Sequence, residues 1–302
     1  MIRDNVLYQD KWFGVMSNEK YESIRNRIRE AFKGLVFDEK PHKYYLNGRE
    51  MTCVSNVTHM FKEHFDEDLV ARQTYERNFN NQKSKYYQMY PEQILEEWHK
   101  ISSEACSHGT ERHEFGESCF YFMTGQYDLI LDNFKDRLVP PETEDGKWGF
   151  RAVYNKEIAI IKFWNDLPEC VVPILAETKV YDEALGYSGT FDILFYYDNE
   201  KDERVSKPDS GLWIYDYKSN KDLYKNFNKR LLEPFTDLID MPLSLYKLQL
   251  SLYQNCIELL GMNVVARTII WVKPNSEYDR IHLENYTQKI TGYLREHGIS
   301  SH

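Results

Sequence analysis

The spacing of apolar side chains divides the chain into a largely helical first half and a strand-rich second half. Ile24, Ile28 and Phe32 fall on one stripe and predict a helix over 18–33. Two strand-like runs, 34–46 and 49–55, flank Asn47-Gly48, the strongest two-residue hairpin signal. Ser55 is placed to cap a helix running to Phe65. Residues 66–90 are polar and tyrosine-rich and read as a helix ending in a surface loop. Pro91 opens a helix with Ile94, Trp98 and Ile101 on one face, and a second helix is expected from His108-Gly109 to Met123. Residues 135–148 carry two prolines and no periodicity, so they read as a loop. A further amphipathic helix covers 151–166. Four strand-like runs follow, at 173–182, 189–197, 211–218 and 264–272. A polar hairpin loop joins the second to the third. Between the third and fourth lie a helical stretch after Lys218 and then a helix striped with Leu245, Leu248, Leu252 and Leu259. A last helix spans 284–296. This order predicts a layered α/β or α+β fold, a central mixed sheet flanked by helices.

Composition narrows the class. At 302 residues, with 42% hydrophobic and 28% charged, the chain has the makings of a packed core, which excludes global disorder. The balance of 38 cationic and 48 anionic residues gives −10, so any contact with nucleic acid has to come from a local basic patch. The five cysteines (53, 106, 119, 170, 256) are odd in number, include no C-x-x-C and follow no apolar leader. Reduced thiols in a soluble, cytoplasmic protein are expected, with no membrane association. No Walker-type, G-x-S-x-G or dinucleotide-binding motif occurs, so no nucleotide cofactor is expected.

Candidate chemistry sits on the strands. Asp192 lies within Phe-Asp-Ile-Leu-Phe, and Asp216 follows Leu-Trp-Ile-Tyr. A lone D-x-K is far more often a solvated surface pair. Two acids inside apolar strands, however, need a partner, and a shared divalent cation with oxygen ligands is one. Asp216 and Lys218 are two apart on a strand and point the same way. In the segment 108–117, His113 and Glu117 share a helix face at i, i+4, and an imidazole ligand would favour Mn²⁺ over Mg²⁺. A histidine packed at a helix end is an equal alternative on this segment alone. His113-Glu114-Phe115-Gly116-Glu117 misses the zinc-protease H-E-x-x-H by its last residue, which leaves a zinc hydrolase built on His108, His113 and Glu117 as a distant reading. Gln249 and Tyr253 are also i, i+4, polar among leucines. Lys221, Lys225 and Lys229 recur every four residues and, with Arg230, predict one cationic helix face for DNA phosphates. An isolated run of this kind is more often only a solvated face.

Taken together, these segments resemble the PD-(D/E)XK nuclease superfamily, in its RecB-like exonuclease branch, with a flavour of phage-type and mitochondrial members. The resemblance rests on five motifs in order: Gly109, Thr110, His113 and Glu117 on a helix; Glu177 in a strand; Gly189 to Asp192; Asp216 to Lys218; and Gln249 to Tyr253. It covers roughly 91–275 and implies a restriction-endonuclease-like core over 91–302, with 1–90 as an N-terminal helix and β-hairpin extension. It further implies a metal-dependent deoxyribonuclease, most simply an exonuclease of replication, recombination or repair, using Mg²⁺ or Mn²⁺. Asp192, Asp216, the Tyr217 carbonyl and His113 would hold the metal. Lys218 would act on the attacking water, Gln249 and Tyr253 would position the strand, and Glu117 or Glu177 would support a second metal. Asp216 stands where many members carry Glu. Only Cys256 lies beyond the core motifs, so the iron–sulfur cluster of some relatives is not expected. The implied partners are single- or double-stranded DNA and a recombination or replication protein, in the bacterial host cytoplasm if the gene is phage-borne. The alternative from another class is a non-catalytic nucleic-acid-binding or protein-interaction module on the same fold.

Overall fold

Where the sequence places Asn47-Gly48, the chain turns with φ of +52° and +79°, the left-handed pair that a tight hairpin requires. The computed structural model describes residues 5–9, 11–12, 14–141 and 146–299; part of the loop expected at 135–148 lies outside them. In chain order the elements are β1 (Val6–Tyr8), α1 (Glu19–Ala31), β2 (Leu35–Asp38), β3 (Lys43–Leu46), β4 (Arg49–Cys53), α2 (Val54–His59), α3 (Glu67–Asn78) and α4 (Pro91–Met123). Then come β5 (Leu138–Val139), β6 (Gly149–Arg151), α5 (Asn155–Asn165), β7 (Val171–Asp182), β8 (Tyr187–Tyr197), β9 (Gly211–Lys218), α6 (Pro242–Glu258), β10 (Val264–Val272), β11 (Tyr278–His282) and α7 (Thr287–His297).

The fold is mixed α/β. A large mixed sheet runs β11-β10-β9-β8-β4-β3-β2, with β7 on the other edge of β8, and helices flank it. β7, β8 and β9 form an antiparallel meander, and β10 lies parallel to β9 after α6. A parallel neighbour needs such a crossover, because a hairpin can only return antiparallel. β1, β6 and β5 form a small second sheet. α5 packs its apolar face on the meander: Phe163 meets Tyr215, and the Trp164 indole N–H donates to the Tyr217 hydroxyl at 3.0 Å. Burying Phe163 fully contributes roughly 1.5–3 kcal/mol. α6 is buried on nearly every face from Leu250 to Ile257, as a helix sandwiched between layers must be.

Three expectations are corrected. The two helices expected on either side of Ser107 are one 33-residue helix, α4. Gly109 in its interior costs about 1 kcal/mol, too little to break it with no proline or cap nearby. α2 ends at His59, well before Phe65, and starts at Val54 after Cys53, so Ser55 is inside it and hydrogen-bonds the Cys53 sulfur instead. The stretch after Lys218 is not a helix, so Lys221, Lys225 and Lys229 share no helical face. Its Asp222 and Asn226 side chains accept from the amides of Tyr224 and Asn228, which favours turns over helix. By internal contacts the chain falls into two compact units. One comprises 1–62 with 112–302, and the other is 63–111. Within the smaller unit, Tyr75 stacks on Tyr90 and the Trp98 indole donates to Tyr86. The β2–β4 hairpins belong to the larger unit and extend its main sheet.

Candidate metal centre

The site forms where the sheet forks. β7 occupies one edge of β8 along its length. The other edge is shared: β4 pairs with Tyr187 and Ser188, while β9 pairs from Ile193 onward. Gly189 to Asp192 lie in the gap. Asp192 is the first residue past the last β8–β9 pair, Ile193 with Tyr215, so Asp216 is its cross-strand counterpart. On the other side, the pairs Ala176–Ile193 and Thr178–Phe191 bracket Glu177 opposite Asp192. Register alone therefore sets Glu177, Asp192 and Asp216 in a row across three strands.

The backbone is irregular at this row. Glu177 has a φ of +42°, a left-handed conformation that costs a non-glycine residue about 1 kcal/mol or more. The side-chain alternation of β8 also changes phase here. Gly189 and Phe191 meet Tyr253 of α6, whereas Phe195 packs on Trp164 of α5. Two glycines set how closely the helices approach. A Cβ on Gly116 of α4 would overlap the Tyr217 ring, and one on Gly189 would lie 2.8 Å from the Tyr253 ring. The close approach of α4 at Gly116 brings His113, one turn earlier, over the gap.

His113 Nδ1 lies 3.0 Å from Asp192 Oδ2, and the Tyr217 amide donates to the same oxygen at 2.6 Å. The ligand atoms of His113, Glu177 and Asp192 all fall within 4.8 Å of one another. Asp216 is buried beside them and ion-paired to Lys218, whose ammonium also rests 4.5 Å from the Tyr246 ring centroid. The electrostatics are those of crowded anions. Burial first, then the charges of Asp192, Glu117 and Asp216, push the Glu177 carboxyl well above the usual range. Burial and Asp192 push Asp216 up to about 6 against the pull of Lys218 and His113. Asp192 is the exception: burial raises it, but His113, Lys218 and the Tyr217 amide outweigh that and hold it low. His113 is raised, because the charge and hydrogen bond of Asp192 overcome the cost of burial. Lys218 is raised too, with Asp216 overcoming burial. A divalent cation among these acids would relieve their repulsion, and an imidazole with carboxylate oxygens is a donor set suited to Mn²⁺ or Mg²⁺. The residues present fit such an ion.

The expected residues are brought together unequally. Gln249 donates to the Tyr253 hydroxyl at 3.2 Å, and Tyr253 is buried within electrostatic reach of Asp216. Tyr217 reaches Asp192 through its amide N–H, while its ring turns to Trp164. Glu117 accepts from Tyr121 at 2.8 Å, and burial with the charges of Glu114 and Asp192 raises its carboxyl. Glu177, ranked by sequence as a second-metal residue, belongs to the tight cluster, whereas Asp216 leans to Lys218. His108 pairs with Glu111 at 3.3 Å. It is five residues from His113 on one helix, about 140° around the axis, so the zinc grouping of His108 and His113 does not share a face. Lys221, Lys225, Lys229 and Arg230 are exposed on the irregular stretch, and Arg230 donates to the carbonyls of Thr236 and Asp237. Sequence reasoning missed Gly116, Tyr246 and Trp164. A glycine kept inside a helical pattern was the one available signal, because it marks close packing.

No protein-family model matches this chain, and no curated protein matches its sequence. No helix among the described residues is long and apolar enough to cross a membrane.

Proposed function

We propose that this chain is a metal-dependent deoxyribonuclease of the PD-(D/E)XK kind, an exonuclease hydrolysing DNA phosphodiester bonds in replication, recombination or repair. The observation that carries this reading is the row of Glu177, Asp192 and Asp216 at the sheet fork, closed by His113 on one side and Lys218 on the other. The antiparallel β7-β8-β9 meander followed by α6 and a parallel β10 supports a restriction-endonuclease-like core.

His113, Glu177 and Asp192, with Asp216 beside them, would hold Mg²⁺ or Mn²⁺. A bound divalent cation lowers the pKa of water and stabilises charge developing on a phosphoryl oxygen. The remaining work falls to the chain. Asp216 and the Tyr246 ring hold the Lys218 ammonium in place, charged, where it offsets the negative charge gathering on the scissile phosphate. The Tyr217 amide fixes the Asp192 carboxylate. Gln249, oriented by Tyr253, positions the DNA strand.

The test is incubation with linear and circular DNA in Mn²⁺, Mg²⁺ or EDTA, beside Lys218→Ala. The expected result is metal-dependent loss of linear DNA, intact circles and loss of at least about a hundredfold in rate for the variant, the scale seen on removing one group that stabilises transition-state charge. Cut circles would make the protein an endonuclease. DNA binding without cleavage in every metal would replace this reading with a non-catalytic binding module.

A further inference from the structure

A long, strongly cationic run follows the candidate site directly. Residues 218–230 carry Lys218, Lys221, Lys225, Lys229 and Arg230 against Asp222 alone, in a chain of net −10. The stretch from 219 onward is irregular, and it displays aromatic rings to solvent: Phe227 is 74% exposed and Tyr224 48%. Lys225 Nζ lies 5.5 Å from the Phe227 ring centroid, which keeps cation and ring together.

This stretch lines part of a cavity of about 520 Å³. Lys221, Lys225 and Phe227 line it together with Lys62, just beyond α2, and Tyr246 and Gln249 of α6. Tyr246 is the ring against which the Lys218 ammonium rests, so the groove opens beside the candidate metal centre. The two acids in the groove are engaged: Asp240 lies 3.5 Å from Lys62, and Asp222 accepts from the Tyr224 amide. Lys221 and Lys225 form no ion pair among the described residues and keep their charge for a ligand.

We infer that this groove holds a single strand of DNA leading away from the scissile phosphate, with Lys221 and Lys225 on its phosphates and the Phe227 ring stacked on an unpaired base. The inference rests on the nuclease reading for the site it adjoins. The chemistry selects a single strand. Cations alone would serve duplex and single strand equally, but a projecting flat ring finds a free base face only where bases are not already paired and stacked. Within the monomer the Phe227 ring is left largely in water, and a stacked base would cover it.

The experiment measures anisotropy of a fluorescein-labelled oligothymidylate with the full chain in EDTA, where no cleavage intervenes. The comparison ligand is a blunt DNA hairpin. Phe227→Ala is expected to weaken oligothymidylate binding about tenfold, the loss of one stacked base. Phe227→Tyr should restore it, and hairpin binding should stay unchanged. The Lys221→Ala/Lys225→Ala variant should flatten the salt dependence of log K by about 1.4, two single-strand phosphate contacts. Circular dichroism checks that both variants are folded. Unchanged oligothymidylate affinity in Phe227→Ala, or equal loss on the hairpin, overturns the inference. The two readings fail separately. Linear DNA degraded with Phe227 irrelevant to binding removes the groove and keeps the nuclease. Oligothymidylate held through Phe227 by a protein that cleaves nothing in Mn²⁺ keeps the groove and removes the nuclease.

Discussion

At the scale of single residues, the sequence and the structure weight the acids differently. Asp192 and Asp216 stand out in sequence because a carboxylate inside an apolar strand needs a partner. Glu177, in Leu-Ala-Glu-Thr-Lys, has no such contrast with its neighbours. Its importance comes from register, since it lies opposite Asp192 with a left-handed backbone, and register is a long-range property that local pattern does not encode. Glu177 is within reach of both His113 and Asp192, while Asp216 is drawn to Lys218. This sets an order for metal affinity. Glu177→Gln should weaken Mn²⁺ binding, read by calorimetry, at least about tenfold, and by no less than Asp216→Asn does. A larger loss in Asp216→Asn would place the ion on the Asp192–Asp216 side of the row. In the absence of metal the same Glu177→Gln change should leave thermal stability equal or higher, because it removes a buried acid crowded by three others.

At the scale of elements, the strands β7, β8, β9 and β10, the helix α6 and the Asn47-Gly48 turn are legible because each carries strong periodicity or turn chemistry. The errors were of another kind. Four-residue spacing suggested a helix after Lys218, but Asp222 and Asn226 fold back on their own backbone there. β11, Tyr-Asp-Arg-Ile-His, is too polar to announce itself and exists by pairing with β10. Helix α4 runs through a glycine that reads as a break in sequence but that the surrounding helix formers tolerate. Its two glycines now make opposed predictions. A Cβ on Gly109 meets nothing within 4 Å, so Gly109→Ala should stabilise by up to about 1 kcal/mol through helix propensity. A Cβ on Gly116 overlaps the Tyr217 ring, so Gly116→Ala should cost about 1–3 kcal/mol as overpacking. It should also reduce metal-dependent cleavage by displacing His113. Urea unfolding and a cleavage assay on both variants check the signs; destabilisation by Gly109→Ala or a neutral Gly116→Ala would contradict this packing.

At the scale of the whole molecule, the first 62 residues belong to one compact unit with 112–302. β4 forms one arm of the sheet fork. α1 is tied to the far end of β8, where the buried Asp198 carboxylate accepts from the Tyr21 hydroxyl at 2.7 Å and the Lys20 ammonium at 3.0 Å. Sequence could not reveal this tie, because its partners are 177 and 178 residues apart. It gives stability a defined dependence on pH. Burial alone would raise the Asp198 carboxyl, but the Tyr21 and Lys20 hydrogen bonds, the Lys20 charge and the Glu200 amide prevail and hold it below its ordinary value. The folded protein thus binds this proton less readily than the unfolded chain, whose Asp titrates near ~3.9. The stabilisation is therefore fully present above that value and is lost as pH falls through the lower folded value. Replacing Asp198 with Asn should cost about 2 kcal/mol at neutral pH, the scale of buried hydrogen bonds to a charged group. The difference in unfolding free energy between wild type and Asp198→Asn should stay constant down to about pH 5 and shrink only in more acidic solution. A difference that is already absent at neutral pH would mean that α1 is not held to β8 through this carboxylate, and that the N-terminal segment owes its place in the unit to apolar packing alone.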